Sequence, residues 1–170
     1  MLIGIMGDTH DHIPHIRSVV EMLTRLEADV VLHAGDYIAP FVIPELARIP
    51  APVIGVFGNN DGDRPFLEAR CRESKTVDIR GYFVELTFEG ERVALLHGHE
   101  RDLLAWCRES GRYDLVVSGH THTASVSRRE STVCVNPGEV CGYLTGVPSF
   151  AIYRTGERDA RILTLEKGGR

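Results

Sequence analysis

The chain has 170 residues, of which 43% are hydrophobic and 25% are charged, a composition typical of a globular domain. This length suits a single domain, residues 1–170, and it excludes a TIM barrel, because such barrels typically need about 250 residues. The formal net charge is −5 and the basic residues are scattered. An extended nucleic-acid-binding surface is therefore not expected.

The sequence predicts a cytoplasmic protein without a membrane-spanning or targeting segment. The first residues lack a basic leader and reach Asp8 before an apolar run of signal-peptide length, and no run of about eighteen apolar residues occurs anywhere. The four cysteines form no Cys-x-x-Cys pair, so we expect reduced and mostly buried thiols rather than a zinc or redox site. They are Cys71, Cys107, Cys134 and Cys141.

The first half of the chain alternates short apolar strands with helices. Three strands are predicted at Leu2–Met6, Val30–Leu32 and Val53–Phe57. The first helix starts near Pro14, and the second, over Pro40–Arg48, is expected to be interrupted at its internal proline. The apolar face of the first helix comprises Ile16, Val19, Val20, Leu23 and Leu26. This alternation of strands and helices predicts a parallel sheet that is buried on both faces.

The second half of the chain is mainly strands. One helix is predicted from about Arg101 to Ser110, with Leu103, Leu104 and Cys107 on its buried side. The strands are predicted at Thr76–Ile79, Tyr82–Phe88, Arg92–Leu96, Leu115–Val117, Val133–Val135, Ser149–Tyr153 and Arg161–Leu165. Because no repeat, low-complexity segment or linker interrupts the pattern, we expect one α/β domain.

Side chains that can bind metal ions follow several of these strands. They are Asp8 and His10 after the first strand, Asp36 after the second, Asn59 after the third, His97 after Leu96, and His120 and His122 after Val117. In open α/β sheets, sites form at the carboxyl ends of the strands. Oxygen and nitrogen donors without a thiolate suit Mn, Fe, Ni, Zn or Co, and seven ligands are more than one ion usually takes. We therefore expect two ions, with Asp36 as the candidate bridge.

The same residues lie in five ordered blocks. These are Gly7-Asp8-Thr9-His10, Gly35-Asp36, Gly58-Asn59-Asn60-Asp61, His97-Gly98-His99 and Gly119-His120-Thr121-His122. In this order they resemble the calcineurin-like metallophosphoesterases, especially the small prokaryotic YfcE-type phosphodiesterases, and Asn136-Pro137-Gly138 resembles a further loop of those proteins. The resemblance covers nearly the whole chain. It implies a four-layer α-β-β-α sandwich, in which two packed mixed β-sheets are flanked by helices.

The resemblance also implies a dinuclear metal-dependent phosphodiesterase. One ion would be bound by Asp8, His10, His122 and Asp36, and the other by Asp36, Asn59, His97 and His120. A hydroxide bridging the two ions would attack phosphorus in line. The expected ions are Mn²⁺, with Ni²⁺, Fe²⁺, Co²⁺, Zn²⁺ and Mg²⁺ as alternatives, and the expected substrate is a small phosphodiester or nucleotide-like molecule.

The candidate catalytic residues are Asn60 and His99. Asn60 departs from the family pattern, in which a histidine can protonate the leaving oxygen. General acid catalysis is typically worth about 10²–10⁴-fold, so its loss favours diesters over monoesters that have poor leaving groups. His99 follows a ligand by two positions and is the candidate replacement acid. Glu139 is a second departure, because the family often has serine there.

Two alternatives to the phosphodiesterase stay open. One is a phosphomonoesterase or nucleotidase, and the other is a non-catalytic metal-binding interaction module, because the fold also resembles the small subunit of the retromer cargo complex. The full set of seven ligands favours an enzyme, and a homo-oligomer is compatible with each reading. We expect Asp11, Asp61 and Asp63 to cap or form turns, and His33 to be either a packing residue or a residue that supports the ligands.

Overall fold

The computed structural model describes residues 1–165, and residues 166–170 of the predicted domain lie outside this part. The strands are β1 (Leu2–Met6), β2 (Val30–His33), β3 (Val53–Gly55), β4 (Val77–Ile79), β5 (Phe83–Phe88), β6 (Glu91–Leu96), β7 (Leu115–Val117), β8 (Ser125–Arg129), β9 (Thr132–Asn136), β10 (Ser149–Arg154) and β11 (Asp159–Thr164). The helices are α1 (Ile13–Arg25), α2 (Val42–Leu46), α3 (Arg64–Glu73) and α4 (Arg101–Glu109). Among residues 1–165, no helix is both long and apolar enough to cross a membrane.

The strands form two mixed sheets, as the resemblance implies. The six-stranded sheet has the order β11-β10-β1-β2-β3-β4, with β1 to β4 parallel and β10 antiparallel to both of its neighbours. The five-stranded sheet has the order β5-β6-β7-β9-β8, with a parallel centre and an antiparallel strand at each edge. The carboxyl ends of the parallel strands carry the loops that position the site.

Alternating side chains divide the interior into three apolar layers. Val30 and Leu32 of β2 face the second sheet, whereas Val31 faces the helices α1 to α3. In β6, Leu95 also lies between the sheets, and Leu96 packs against α4. A strand that is buried on both faces therefore has a continuous run of apolar residues in the sequence. Two sheets between two helical layers give the four-layer α-β-β-α arrangement.

Several predicted boundaries differ from the structure. Leu26 is the C-cap of α1 and is 39% exposed rather than part of the buried face. The helix α2 is shorter than predicted, and Pro44 does not interrupt it. A proline is tolerated in the first turn of a helix, because the backbone N–H groups of that turn have no partner within the helix and the one that proline lacks is not missed. In α4, Cys107 is fully buried, but Leu103 and Leu104 are only partly buried beside it. All four cysteines are free and buried, as predicted.

Two elements have no apolar pattern and are not predicted from the sequence. The helix α3 buries only Leu67 and Cys71, and it begins where the Asp63 side chain accepts a hydrogen bond from the amide of Phe66. The strand β8 is exposed along its whole length, and pairing with β9 defines it. The helix therefore has no continuous apolar face, and the strand has no alternation of buried and exposed residues, by which the sequence could identify them.

Candidate metal centre

The seven predicted ligands lie on loops at the carboxyl ends of strands from both sheets. Backbone contacts join these loops: the amide of His120 donates to Asp8 Oδ2 at 3.0 Å, and the amide of Gly119 donates to the carbonyl of His97 at 2.9 Å. The His97 ring reaches the other sheet, because its Nδ1 lies 2.8 Å from the carbonyl oxygen of Ala34. The two sheets therefore contribute to one site, although 112 positions of sequence separate Asp8 from His120.

Four of the seven residues form one cluster of metal-binding groups. Ligand atoms of Asp8, His10, Asp36 and His122 all lie within 4.8 Å of one another. His10 Nε2 is 3.4 Å from Asp36 Oδ2, and His122 Nε2 is 3.4 Å from Asp8 Oδ1. The cluster combines two carboxylates with two imidazoles, a donor set that suits a divalent first-row metal ion.

The other predicted ligands form a second group that also reaches the Asp36 carboxylate. His97 Nε2 is 3.5 Å from Asp36 Oδ2 and 2.9 Å from Asn59 Oδ1, and the rings of His97 and His120 have centroids 5.1 Å apart. Asp36 Oδ2 therefore contacts a histidine of each group.

The donors in this site fit a metal cation. Asp8 and Asp36 are both fully buried, and their ion-pair partners among residues 1–165 are histidines. In the same part of the chain, Asp8 Oδ1 and His10 Nε2 are buried and have no hydrogen-bond partner. Buried carboxylates with unsatisfied atoms are costly, and a cation between them removes that cost.

The electrostatics of the two carboxylates agree with this fit. Burial, together with the charge of Asp36, raises the pKa of Asp8 to about 8. Burial alone would also raise the pKa of Asp36, but contact with His10, the charge of His97 and hydrogen bonds from Asn60 lower it below its usual range. Two carboxylates in one dry site cannot both ionise easily unless a positive charge lies nearby.

His97 has the protonation state that a metal ligand needs. Burial lowers its pKa to about 4, so the ring is neutral at pH 7. A carbonyl oxygen can only accept, so Nδ1 donates to Ala34 and the lone pair of Nε2 faces Asn59 and Asp36. Nε2 and the Asn59 carbonyl oxygen are then two acceptors 2.9 Å apart, which a shared cation would satisfy.

Five of the seven predicted ligands have a strained backbone. Left-handed φ angles are unusual for residues with a Cβ and cost energy unless the surroundings impose them. The residues and their angles are Asp8 (48°), His10 (39°), Asp36 (59°), His120 (68°) and His122 (59°). This concentration of strain at one set of side chains is typical of a functional site.

Asp61 does more than form the turn that its sequence context predicts. Its carboxylate accepts hydrogen bonds from the backbone amides of Asp36 at 3.2 Å, Tyr37 at 2.6 Å, Ile38 at 2.9 Å and Gly58 at 2.7 Å. Asp61 is almost completely buried and thereby joins the loop after β2 to the loop after β3. These are the loops that carry Asp36 and Asn59.

Gly58 allows the loop after β3 to approach Asp36. A Cβ at this position would lie 2.6 Å from the Asp36 amide nitrogen and would overlap the Asp36 carboxylate. We therefore expect Gly58→Ala to destabilise the fold by about 1–3 kcal/mol through overpacking and to weaken metal binding. Chemical denaturation and Mn²⁺ titration measure the two effects.

Gly62→Ala is the matched control for Gly58→Ala. It lies in the same loop, and a Cβ there has no neighbour within 4 Å. The free energy of unfolding and the Mn²⁺ affinity of this variant should remain within about 0.5 kcal/mol of the unaltered protein. Equal effects of the two substitutions would show that the close approach at Gly58 is unimportant.

The two candidate catalytic residues flank the second ligand group. Asn60 donates its amide and its side-chain nitrogen to the two oxygens of Asp36, at 3.0 and 2.7 Å. The half-buried His99 has its ring centroid 5.5 Å from that of His97 and 6.1 Å from that of His120. His99 Nδ1 is buried without a hydrogen-bond partner in residues 1–165.

His33 packs in the interior, the first of its two predicted roles. It is fully buried, and its ring stacks on that of Tyr37 with centroids 3.9 Å apart. The amide of Gly35 donates to His33 Nδ1 at 3.1 Å. Burial lowers the pKa of His33 to about 3, so it is a neutral residue beneath the site.

Three residues at the site were not found from the sequence as functional groups. Glu139 accepts a hydrogen bond from His122; although burial opposes ionisation, hydrogen bonds from His122, Thr145 and Leu144 lower the pKa of Glu139 to about 2. Tyr143 is 61% exposed, with its ring centroid 6.5 Å from that of His10. The departure from serine at position 139 was the only sequence signal.

Cys141 is the third of these residues. Its sulfur lies within 4.8 Å of ligand atoms of His10 and His122. Burial raises the pKa of this thiol to about 12, and the thiol donates to Glu139 Oε2 at 3.2 Å. The predicted ligand set contains no cysteine, and Cys141 is an additional potential donor beside His10 and His122.

Comparison with known proteins identifies the family. The model of the calcineurin-like phosphoesterase superfamily domain matches residues 1–158. Phosphodiesterase MJ0936 of Methanocaldococcus jannaschii is 37% identical over 166 residues, which cover 98% of this chain and 100% of that protein. A probable metallophosphoesterase of Methanothermobacter thermautotrophicus is 31% identical over 172 residues, covering 96% of this chain and 92% of that protein.

Solved structures agree with this assignment. The structure of an archaeal phosphodiesterase superimposes with a TM-score of 0.92 at 37% identity and covers 97% of this chain and 100% of that one. Two further structures share the fold. Zinc-bound Vps29 from Entamoeba histolytica has a TM-score of 0.74 at 21% identity and covers 99% of this chain and 95% of that one. YfcE from E. coli has a TM-score of 0.70 at 18% identity and covers 98% of this chain and 100% of that one. The chain therefore belongs to the calcineurin-like phosphoesterase superfamily.

Proposed function

We propose that residues 1–170 form one metal-dependent phosphodiesterase domain, which hydrolyses a small phosphodiester or nucleotide-like substrate with two divalent ions. The observation that carries this proposal is the position of Asp36, whose Oδ2 lies 3.4 Å from His10 Nε2 and 3.5 Å from His97 Nε2. A carboxylate between two groups of ligands is suited to bridge two ions. The 37% identity to an archaeal phosphodiesterase supports the diester substrate.

The proposed ligand sets are those that the family resemblance implies. Asp36 is the shared ligand; Asp8, His10 and His122 complete one site, and Asn59, His97 and His120 complete the other. The cluster around Asp8 supports the first set, and the contacts of His97 support the second. When bound, the two ions supply an acidified water as nucleophile and neutralise charge that develops on the phosphoryl oxygens.

Mn²⁺ is the ion that we propose first. The donor set contains carboxylate, amide and imidazole groups and no thiolate, which suits Mn²⁺. The same donors also bind Ni²⁺, Fe²⁺, Co²⁺, Zn²⁺ and Mg²⁺, so the order of preference is determined by comparing activity with each ion.

The proposed compartment is the cytoplasm. The four free cysteines support it, because thiols stay reduced in that compartment.

Asn60 and His99 have different proposed roles. Both donor groups of Asn60 are engaged by Asp36, so Asn60 orients the bridging carboxylate and supplies no proton. We assign proton transfer to the leaving oxygen to His99, whose ring lies beside those of His97 and His120. The variant His99→Gln should therefore slow a diester with an alkyl leaving group more than one with an aryl leaving group.

The proposed activity is tested with chelator-treated protein and two substrates. An aryl phosphodiester and the matching monoester are assayed with and without added Mn²⁺. We expect Mn²⁺-dependent hydrolysis with the diester preferred, because the 37% identical archaeal relative is a phosphodiesterase. A preference for the monoester would favour the phosphomonoesterase alternative. Bound Mn²⁺ without turnover of either substrate would favour the non-catalytic module.

A further inference from the structure

Glu139 is a buried carboxylate directly next to a proposed metal ligand. It has no exposed surface and follows Gly138 in the loop after β9. Its Oε2 lies 2.7 Å from His122 Nδ1 and also accepts from the thiol of Cys141 at 3.2 Å. Its Oε1 accepts from the amide of Leu144 at 3.0 Å and from both the amide and the hydroxyl of Thr145, at 2.5 and 2.7 Å.

Within residues 1–165, the hydrogen-bond partners of the Glu139 side chain can all act as donors. A carboxylate only accepts, so Oε2 accepts from the ring of His122, Oε1 accepts from the amide of Thr145, and the two oxygens share the amide of Leu144. A glutamine side chain has the same shape, but its NH₂ group is a donor. In place of either carboxylate oxygen, this group would face other donors and could not accept their hydrogen bonds. The loop is thus complementary to an ionised carboxylate.

The contact with Glu139 determines which nitrogen of His122 is free. Because a carboxylate oxygen accepts, the proton lies on Nδ1, and the lone pair of Nε2 points toward Asp8, whose Oδ1 is 3.4 Å away. Histidines that bind metals usually donate their second nitrogen to a carboxylate or carbonyl, which fixes the tautomer and the ring orientation. His122 has this arrangement.

The same carboxylate holds the turn that bears Tyr143. The amides of Leu144 and Thr145 both point to Glu139, so Tyr143 is held beside His10 at the rim of the site. On the other side of the loop, His15 Nδ1 of α1 lies 3.1 Å from the carbonyl oxygens of both Val140 and Cys141. The loop is therefore fixed between α1 and the site.

We propose that Glu139 is the positioning residue of His122 and couples this ligand to the turn at Tyr143. Glu139 holds the proton of His122 on Nδ1, aims Nε2 at the metal site, and keeps the amides of Leu144 and Thr145 in place with its second oxygen. This inference rests on the metal site proposed above. Its consequence is that metal affinity depends on a residue that does not itself contact the ion.

The test compares Glu139→Gln with Glu91→Gln. Glu91 is also a buried glutamate; it accepts from the hydroxyl of Tyr153 and the amide of Gly156, away from the site, and so is a matched control. Calorimetric titration with Mn²⁺ should give about 10–100-fold weaker binding for Glu139→Gln and unchanged binding for Glu91→Gln. Equal affinities of Glu139→Gln and the unaltered protein would overturn the proposal.

Nitrogen NMR of the metal-free protein supplies a readout that a general loss of stability would not change. In the unaltered protein, the His122 ring should carry its proton on Nδ1, and in Glu139→Gln the Nε2–H form should appear. A His122 ring protonated on Nε2 in the unaltered protein would overturn the proposal without any variant. If the unaltered protein binds no Mn²⁺, the proposed function fails, and the tautomer alone decides the role of Glu139.

Discussion

Asp36→Asn is expected to lower kcat/KM for an aryl phosphodiester by about a thousandfold or more. The carboxylate is fully buried and contacts both His10 and His97, so its replacement removes the proposed bridge between the two ions. An amide is neutral and has only one oxygen ligand. Because metal ions contribute several kcal/mol to stabilising the transition state, loss of either ion should have an effect of this size.

The control for Asp36→Asn is Asp78→Asn. Asp78 is an exposed aspartate whose ion-pair partner is Arg80, and its replacement should leave both turnover and bound Mn²⁺ unchanged. Metal content is measured together with the rate. If Asp36→Asn loses bound Mn²⁺ and Asp78→Asn does not, the loss of activity is explained by the loss of metal ions. Full activity of Asp36→Asn would remove Asp36 from the centre of the mechanism.

Asp61→Ala is expected to destabilise the protein by about 3–4 kcal/mol, the largest effect on stability that we predict. The substitution leaves four backbone amides, those of residues 36, 37, 38 and 58, without their acceptor. A buried donor without a partner costs about 1–3 kcal/mol, and part of this cost is relieved as the loops relax. Chemical denaturation measures the change.

Asp63→Ala separates this effect from the ordinary loss of a cap. Asp63 lies two positions further along and accepts from the amide of Phe66 at the start of α3, near the surface. Its replacement should cost about 1 kcal/mol. If both substitutions cost the same, the four amides do not depend on Asp61, and the proposed connection between the loops after β2 and β3 is wrong.

The strands buried on both faces follow from local patterns in the sequence, whereas the pairing of two sheets is implied by the family resemblance. The residues of β1 are all buried because helices cover one face of the first sheet and the second sheet covers the other, and this makes Leu2–Met6 a continuous apolar run. The helix α3 lacks such a signal. Only Leu67 and Cys71 are buried in it, and the charged residues around them give no extended apolar face.

The candidate ligands could be selected from the sequence because each follows a strand. What the sequence does not contain is the long-range arrangement of their partners. The contact between His122 and Glu139 spans 17 positions, and that between Asp61 and the amide of Asp36 spans 25. Local context predicts only a turn for Asp61, because its partners are backbone amides that come together after the sheet has formed.

The central claim is that two ions are bound on either side of Asp36. Anomalous diffraction from crystals grown with Mn²⁺, collected at the manganese edge, tests it most directly. We predict two anomalous peaks about 3.5–4 Å apart, with the Asp36 carboxylate in contact with both. One peak should lie beside Asp8, His10 and His122, and the other beside Asn59, His97 and His120. A single peak, or two peaks that do not share Asp36, would contradict the account.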